Sequence, residues 1–180
     1  MKALPLKLLI WPERPSRFDH HGLALILLTL PAGTKRADAR QMARTTLREC
    51  IASLLHAVHF ELVEGVHGPL ITGSDIRISL SYAGDKALIG LSCGQALGVD
   101  IVKIKGLDVD EIEALARLYL PTNNGTDFAL AWAQMEACCK ALKLPLSEID
   151  AARQLAYAGC KLVDCEQMDG YRIAVAIKPV

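Results

Sequence analysis

The chain is 180 residues long and 52% hydrophobic, enough apolar content to bury the core of one ordinary domain or of two small halves, which excludes general disorder. Lys and Arg number 20 against 20 Asp and Glu, a formal net charge of +0, so no whole-molecule field draws it to nucleic acid or an anionic membrane and any anion site has to be local. Its six cysteines show neither CxxC spacing nor a nearby histidine pair, and several take apolar positions in expected helices or strands, which points to free thiols in a reducing cytoplasm.

The first ten residues are apolar but cut by Pro5 and Trp11-Pro12, with no small-residue cleavage site, so residues 6–10 read as a strand and not as a secretory signal. A polar loop follows, in which His20-His21 are expected to be exposed or hydrogen bonded, not ligands. Residues 23–30 form a continuous apolar strand, covered on both faces and far short of the roughly 20 residues that span a bilayer. Residues 36–58 contain no Gly or Pro, and Met42, Ala43, Leu47, Cys50, Ile51 and Leu54 recur at helical spacing. Along this helix Lys35, Arg36, Arg40, Arg44 and Arg48 make a basic stripe. A solvated face accounts for Lys35, Arg36 and Arg48. Arg40 and Arg44 are candidates for holding a phosphate, because the planar guanidinium fork matches its oxygens.

Residues 60–63 and 70–72 read as short strands around Gly65 to Pro69. Ile78, Leu80 and Tyr82 alternate with smaller or polar residues up to Ala83-Gly84-Asp85, and Ala87, Ile89 and Leu91 resume the alternation, the pattern of a hairpin turning at Gly84. A second turn at Cys93-Gly94-Gln95 leads to a strand over 97–102. Asp108 or Asp110 can cap a helix running to about Leu118, a Pro/Asn/Gly-rich loop covers 119–126, and a helix is expected over 127–142. Residues 155–165 and 171–177 read as a closing strand pair around Asp169-Gly170, a tight-turn dipeptide.

Two features carry chemistry. Asp100 interrupts an apolar strand; flanked by Val99 and Ile101, it points to the opposite face from both and can face a cleft while they face the core, although a strand-end carboxylate facing water fits the spacing as well. On the last helix Trp132, Glu136 and Lys140 stand at successive i, i+4 positions and share one face.

Together these stretches resemble the 4′-phosphopantetheinyl transferase superfamily, in its longer monomeric type that activates peptide and polyketide synthases. The family's strand motif appears as Gly98-Val99-Asp100-Ile101 and its helix motif as Trp132, Glu136, Ala137 and Lys140. Arg44-Thr45-Thr46-Leu47 is similar to the family's arginine-threonine segment, Ser81-Tyr82-Ala83-Gly84 to its Ser-His-Ser-Gly turn, and residues 170–176 to its closing strand, in the family's order over most of the chain. The resemblance implies an α+β fold built as a pseudo-dimer of two similar halves, 1–97 and 98–180, each a long helix packed on a small antiparallel sheet. It also implies a magnesium-dependent, monomeric cytoplasmic enzyme that transfers 4′-phosphopantetheine from coenzyme A to a serine of an acyl or peptidyl carrier protein.

On this resemblance Asp100 and Glu136 hold Mg2+, a cation that accepts one or two carboxylates with phosphate oxygens and waters. Glu136 positions or deprotonates the serine, and Lys140 stabilises the leaving 3′,5′-ADP. Arg40, Arg44, Thr45, Ser81, Tyr82 and Lys140 contact coenzyme A. Four positions depart from the family: Gly68 and Tyr82 replace a lysine and a histidine that hold the nucleotide, Val102 a further acidic ligand, and Met135 the lysine before the helix glutamate. A tyrosine hydroxyl donates a hydrogen bond but carries no positive charge at neutral pH, and Tyr82 reads equally well as an aromatic on a half-buried strand. The alternatives are therefore a catalytically impaired homologue that binds coenzyme A or a carrier protein without transfer, or a structural homologue with a vestigial cleft.

Overall fold

The computed structural model describes residues 4–56, 59–104, 128–144 and 159–178. The expected helix over 108–118, the loop over 119–126, the ends of the helices at Val58 and Asp127, and the start of the closing strand at 155–158 lie outside the described residues. Within them the chain is α+β, with two helices and three small sheets. No helix among the described residues is long and apolar enough to cross a membrane.

The first sheet has the order β1 (Leu8–Ile10), β2 (Leu23–Thr29), β6 (Lys86–Cys93), β5 (Ile76–Ala83), parallel between β1 and β2 and antiparallel elsewhere. A hairpin of β3 (Leu62–Gly65) and β4 (Gly68–Ile71) stands beside β5. The second sheet is β7 (Ala96–Lys103), β9 (Tyr171–Lys178), β8 (Lys161–Val163). The helices are α1 (Arg36–Leu55) and α2 (Phe128–Leu142).

Strand alternation sorts the side chains into layers. Leu23, Leu25, Leu27 and Leu88 face Val99, Ile101, Ile173 and Val175 across the two sheets. On the far side of the first sheet, Ile26, Ile89 and Leu91 lie under Leu47, Cys50 and Ile51 of α1. On the far side of the second, Ala174 and Ala176 lie under Ala133, Ala137 and Ala141 of α2. The layers thus run α1, first sheet, second sheet, α2. Fully burying one of these leucines or isoleucines contributes roughly 1.5–3 kcal/mol, so the leucine-rich seam between the sheets is a major source of stability.

Two glycines set how closely these layers meet. A Cβ on Gly90 would fall 2.3 Å from Val99 Cγ1, so its absence lets β7 lie on β6. A Cβ on Gly98 would fall 1.8 Å from the Ala137 carbonyl oxygen and 2.6 Å from the Ala141 nitrogen, so α2 rests almost directly on the β7 backbone. Beside β5, the edge of β7 is satisfied by side chains: the Val99 and Ile101 N–H groups donate to the Ser79 and Ser81 hydroxyls at 3.0 and 3.4 Å.

Three local expectations are corrected. The β3–β4 hairpin is shifted along the chain, so Glu64 and Gly65 are paired with Pro69 and Gly68 and only Val66-His67 form its tip. The expected turn at Asp169-Gly170 is present, with the Tyr171 N–H donating to the Met168 carbonyl at 3.1 Å, but it closes a longer return than a hairpin, since β8 ends at Val163 opposite Val175. Cys165 leaves to bridge Leu6, and the Gln167 amide donates to the Ile173 carbonyl at 2.9 Å and accepts its N–H at 3.0 Å, taking the place of a strand partner. Finally, α1 stops at Leu55, where His56 adopts a left-handed conformation (φ 49°) and its N–H caps the Ala52 carbonyl. All six cysteines are free thiols.

Candidate functional site

Asp100 leaves β7 on the face opposite Val99 and Ile101 and is only 3% exposed. Its Oδ1 accepts two short bonds, from the Ser81 hydroxyl at 2.6 Å and from the Lys140 ammonium at 2.6 Å. Lys140 also donates to the Val99 carbonyl at 3.1 Å and lies 3.7 Å from Glu136 Oε2. Glu136 Oε1 accepts from the Trp132 indole N–H at 2.8 Å, and Trp132 stacks on Phe128 with ring centroids 6.0 Å apart. The three helix residues share one face, and the close seating of α2 on Gly98 carries that face to the Asp100 carboxylate.

Two carboxylates thus share a single ammonium in a largely buried place. Burial raises the Glu136 pKa, the neighbouring Asp100 charge raises it further, and Lys140 and the Trp132 hydrogen bond partly oppose them. A local excess of negative charge on hard oxygen donors suits a divalent cation such as Mg2+, which needs one or two carboxylates and fills its remaining positions with waters and phosphate oxygens. Val102, on the same face of β7, packs against the alanine cluster under α2 and adds no ligand.

Outward from Lys140 runs a basic groove. Lys140 lines three adjoining clefts of about 470, 490 and 640 Å³. Arg40, Arg44, Tyr82, Gly68 and Lys143 line the first, Arg77 and Lys178 the second, and Arg36, Arg40, Ser81 and Tyr82 the third. In a chain with no net charge, these cations gather on one side. Arg44 is held in a two-pronged ion pair with Glu64 at 2.6 and 2.9 Å, which leaves its Nη1 buried without a partner. Glu64 is 64% exposed on its side chain, so that pair contributes little to stability and can yield to a bound anion. Burial raises the Tyr82 pKa against the lowering effect of Arg44 and Arg40, so its hydroxyl remains a donor at neutral pH.

The expected site residues therefore divide. Asp100, Glu136, Lys140 and Ser81 meet in one cluster, and Arg40, Arg44 and Tyr82 line the groove leading to it. Ser81 faces inward and holds Asp100, a role its strand pattern did not announce. Thr45 is exposed, its hydroxyl donates to the Gln41 carbonyl of its own helix at 3.2 Å, and it does not line this groove. Lys143, Lys178 and His67 were missed as groove residues. Lys143 had a faint signal, three residues after Lys140, whereas Lys178 and His67 are brought in only by the end of β9 and the tip of the β3–β4 hairpin.

No protein-family model matches the chain, and no curated protein matches it in sequence.

Proposed function

We propose that this protein is a divergent phosphopantetheinyl transferase, moving 4′-phosphopantetheine from coenzyme A to a serine of an acyl or peptidyl carrier protein. The observation that carries the reading is the convergence of Asp100, Glu136 and Lys140, from a strand and a helix far apart in sequence, at the inner end of a basic groove. The same reading takes residues 1–97 and 98–180 as the two halves of a pseudo-dimer acting as a monomer in the cytoplasm. It is supported by the passage from one sheet to the other at Gly94-Gln95 and by one helix on the outer side of each sheet.

In this reading the diphosphate of coenzyme A lies in the groove against Arg40, Arg44 and the Tyr82 hydroxyl. Asp100 and Glu136 would hold Mg2+, which neutralises diphosphate charge when bound. Glu136, whose pKa burial raises towards the working range of a general base, takes the proton of the carrier serine as its oxygen attacks the phosphorus next to the pantetheine arm. The bond to 3′,5′-ADP breaks, and Lys140 stabilises the charge that leaves. Ser81 keeps the Asp100 carboxylate in place, and Trp132 does so for Glu136. Lys143 lines the groove beside Gly68 and supplies a cation near the position where the family's lysine is absent.

Mass spectrometry of apo carrier proteins incubated with the chain, coenzyme A and Mg2+ tests the reading, with a gain of one phosphopantetheine on the carrier expected. The second reading, binding without transfer, draws on Met135, buried where the family has a lysine. Calorimetric binding of coenzyme A with no mass gain on any carrier would favour it and overturn the first.

A further inference from the structure

We propose that Asp19, His20 and His21 form a second metal site, independent of the groove, for a borderline dication such as Zn2+. One Asp carboxylate oxygen and one nitrogen from each imidazole all lie within 4.8 Å of one another. Two atoms bound tetrahedrally to one Zn2+ at about 2.0–2.2 Å lie about 3.3–3.6 Å apart, so side-chain rotations that close roughly 1 Å bring the three into range. The carboxylate is already aimed. Its Oδ1 accepts the backbone N–H groups of His21 and Leu23 at 2.9 and 2.8 Å, which fixes the plane of the group. Its Oδ2 is buried and has no hydrogen-bond partner, with His20 Nδ1 3.6 Å away.

A buried carboxylate oxygen left without a partner is unfavourable, and a cation shared with the two imidazoles would satisfy it. The segment is ordered for this role: the Gln95 amide donates to the His21 carbonyl at 2.9 Å, and the Cys93 N–H donates to the Gly22 carbonyl at 2.9 Å. Little ordering is then left to oppose binding. Two imidazoles with one carboxylate suit Zn2+, Ni2+ or Cu2+ better than Mg2+. Asp19 and His20 also line a cleft of about 610 Å³, through which water can reach the ion's remaining positions.

The site stands towards the opposite end of β6 from the Asp100 cluster. It precedes Leu23, which pairs with Ser92, whereas Ser81 pairs with Leu88 towards the other end of β6. Its effect is therefore on the stability of the β2 entry. The sequence offered only two adjacent loop histidines; the carboxylate that folds onto them is a feature of the structure.

The test titrates the full chain with Zn2+ by calorimetry, in a Cys93→Ser background that removes the exposed thiol beside this loop. One Zn2+ per chain and a raised Tm are expected, with His20→Gln and His21→Gln each weakening binding by about 10–100-fold or more. Both substitutions spare the backbone bonds that shape the loop. Co2+ as a probe should give visible d–d absorption that the double variant loses. No uptake by the parent chain, or uptake and spectrum unchanged in the double variant, would overturn the site and leave only a surface His20–Asp19 ion pair.

Discussion

The two helices meet their sheets through different chemistry. Helix α1 lies on the first sheet through Leu47, Cys50 and Ile51, large side chains set against Ile26, Ile89 and Leu91. Helix α2 lies on the second through Ala133, Ala137 and Ala141 against Ala174, Ala176 and the bare backbone of Gly98. Large side chains bury more apolar area and contribute more to stability. Small ones contribute less but let the helix come close, and closeness is what Glu136 and Lys140 need to reach Asp100. One contact anchors the fold while the other sets the geometry of the site.

The largest expected effect is at the first contact. Ile51→Ala should lower stability by about 2–5 kcal/mol through the cavity it leaves, read from urea unfolding, while the folded molecules keep the metal and coenzyme A binding that the proposed function assigns to them. A parallel loss of binding in the folded protein would mean that α1 also shapes the site. At the second contact Gly98→Ala should lower stability less, by about 1–3 kcal/mol, yet displace α2 and separate Lys140 from Asp100. Carrier modification and Mg2+ binding should then fall together; normal activity in a destabilised Gly98→Ala protein would show that the close seating is not required.

A smaller effect is expected where the second sheet is tied to the turn after β5. The Tyr171 hydroxyl and the Lys86 ammonium both bond Asp85 and hold its pKa down to about 2. A carboxylate so depressed adds stability that is present above its ordinary value and is lost as pH falls through about 2. Tyr171→Phe should raise the Asp85 pKa towards the usual carboxylate range, followed by NMR titration. Because Asp85 is largely exposed, stability should fall by under about 1 kcal/mol.

The smallest expected change has the opposite sign. The Glu136 pKa is raised in the folded state, so the folded chain holds its proton to a higher pH than the unfolded chain does. Stability therefore falls as pH rises from the ordinary glutamate value through the raised one. Glu136→Gln should remove that slope and, at neutral pH, raise Tm by about 1–2 °C while abolishing transfer. A Gln variant with an unchanged pH profile of Tm would show that Glu136 is not held at a strained charge.

An unbroken apolar run for β2, strand alternation for β5 and β6, and helix period for the two helices among the described residues were enough to place these elements, because burial on both faces, on one face or along a stripe each leaves its own pattern. The ends were less legible. The long return from β8 to β9 depends on Gln167, which stands in for a strand partner of Ile173, and on Leu6, which bridges Cys165 from the other end of the chain, while the β3–β4 register is set by how few residues form the tip at Val66-His67. Of the site, the i, i+4 alignment of Trp132, Glu136 and Lys140 and the odd carboxylate at Asp100 could be read locally. The inward role of Ser81, the tie between Arg44 and Glu64, and the arrival of Lys143 and Lys178 in the groove could not, since each joins elements that only packing brings together.

By itself the sequence determined which residues would share a face: Asp100 opposite Val99 and Ile101, and Glu136 beside Lys140, because strand and helix periods are local backbone properties. Whether those two faces would meet was decided only by the tertiary structure. The deciding contact is between a glycine that offers no Cβ and a helix ridge of alanines, a complementarity of shape between residues some 40 positions apart that no local period encodes.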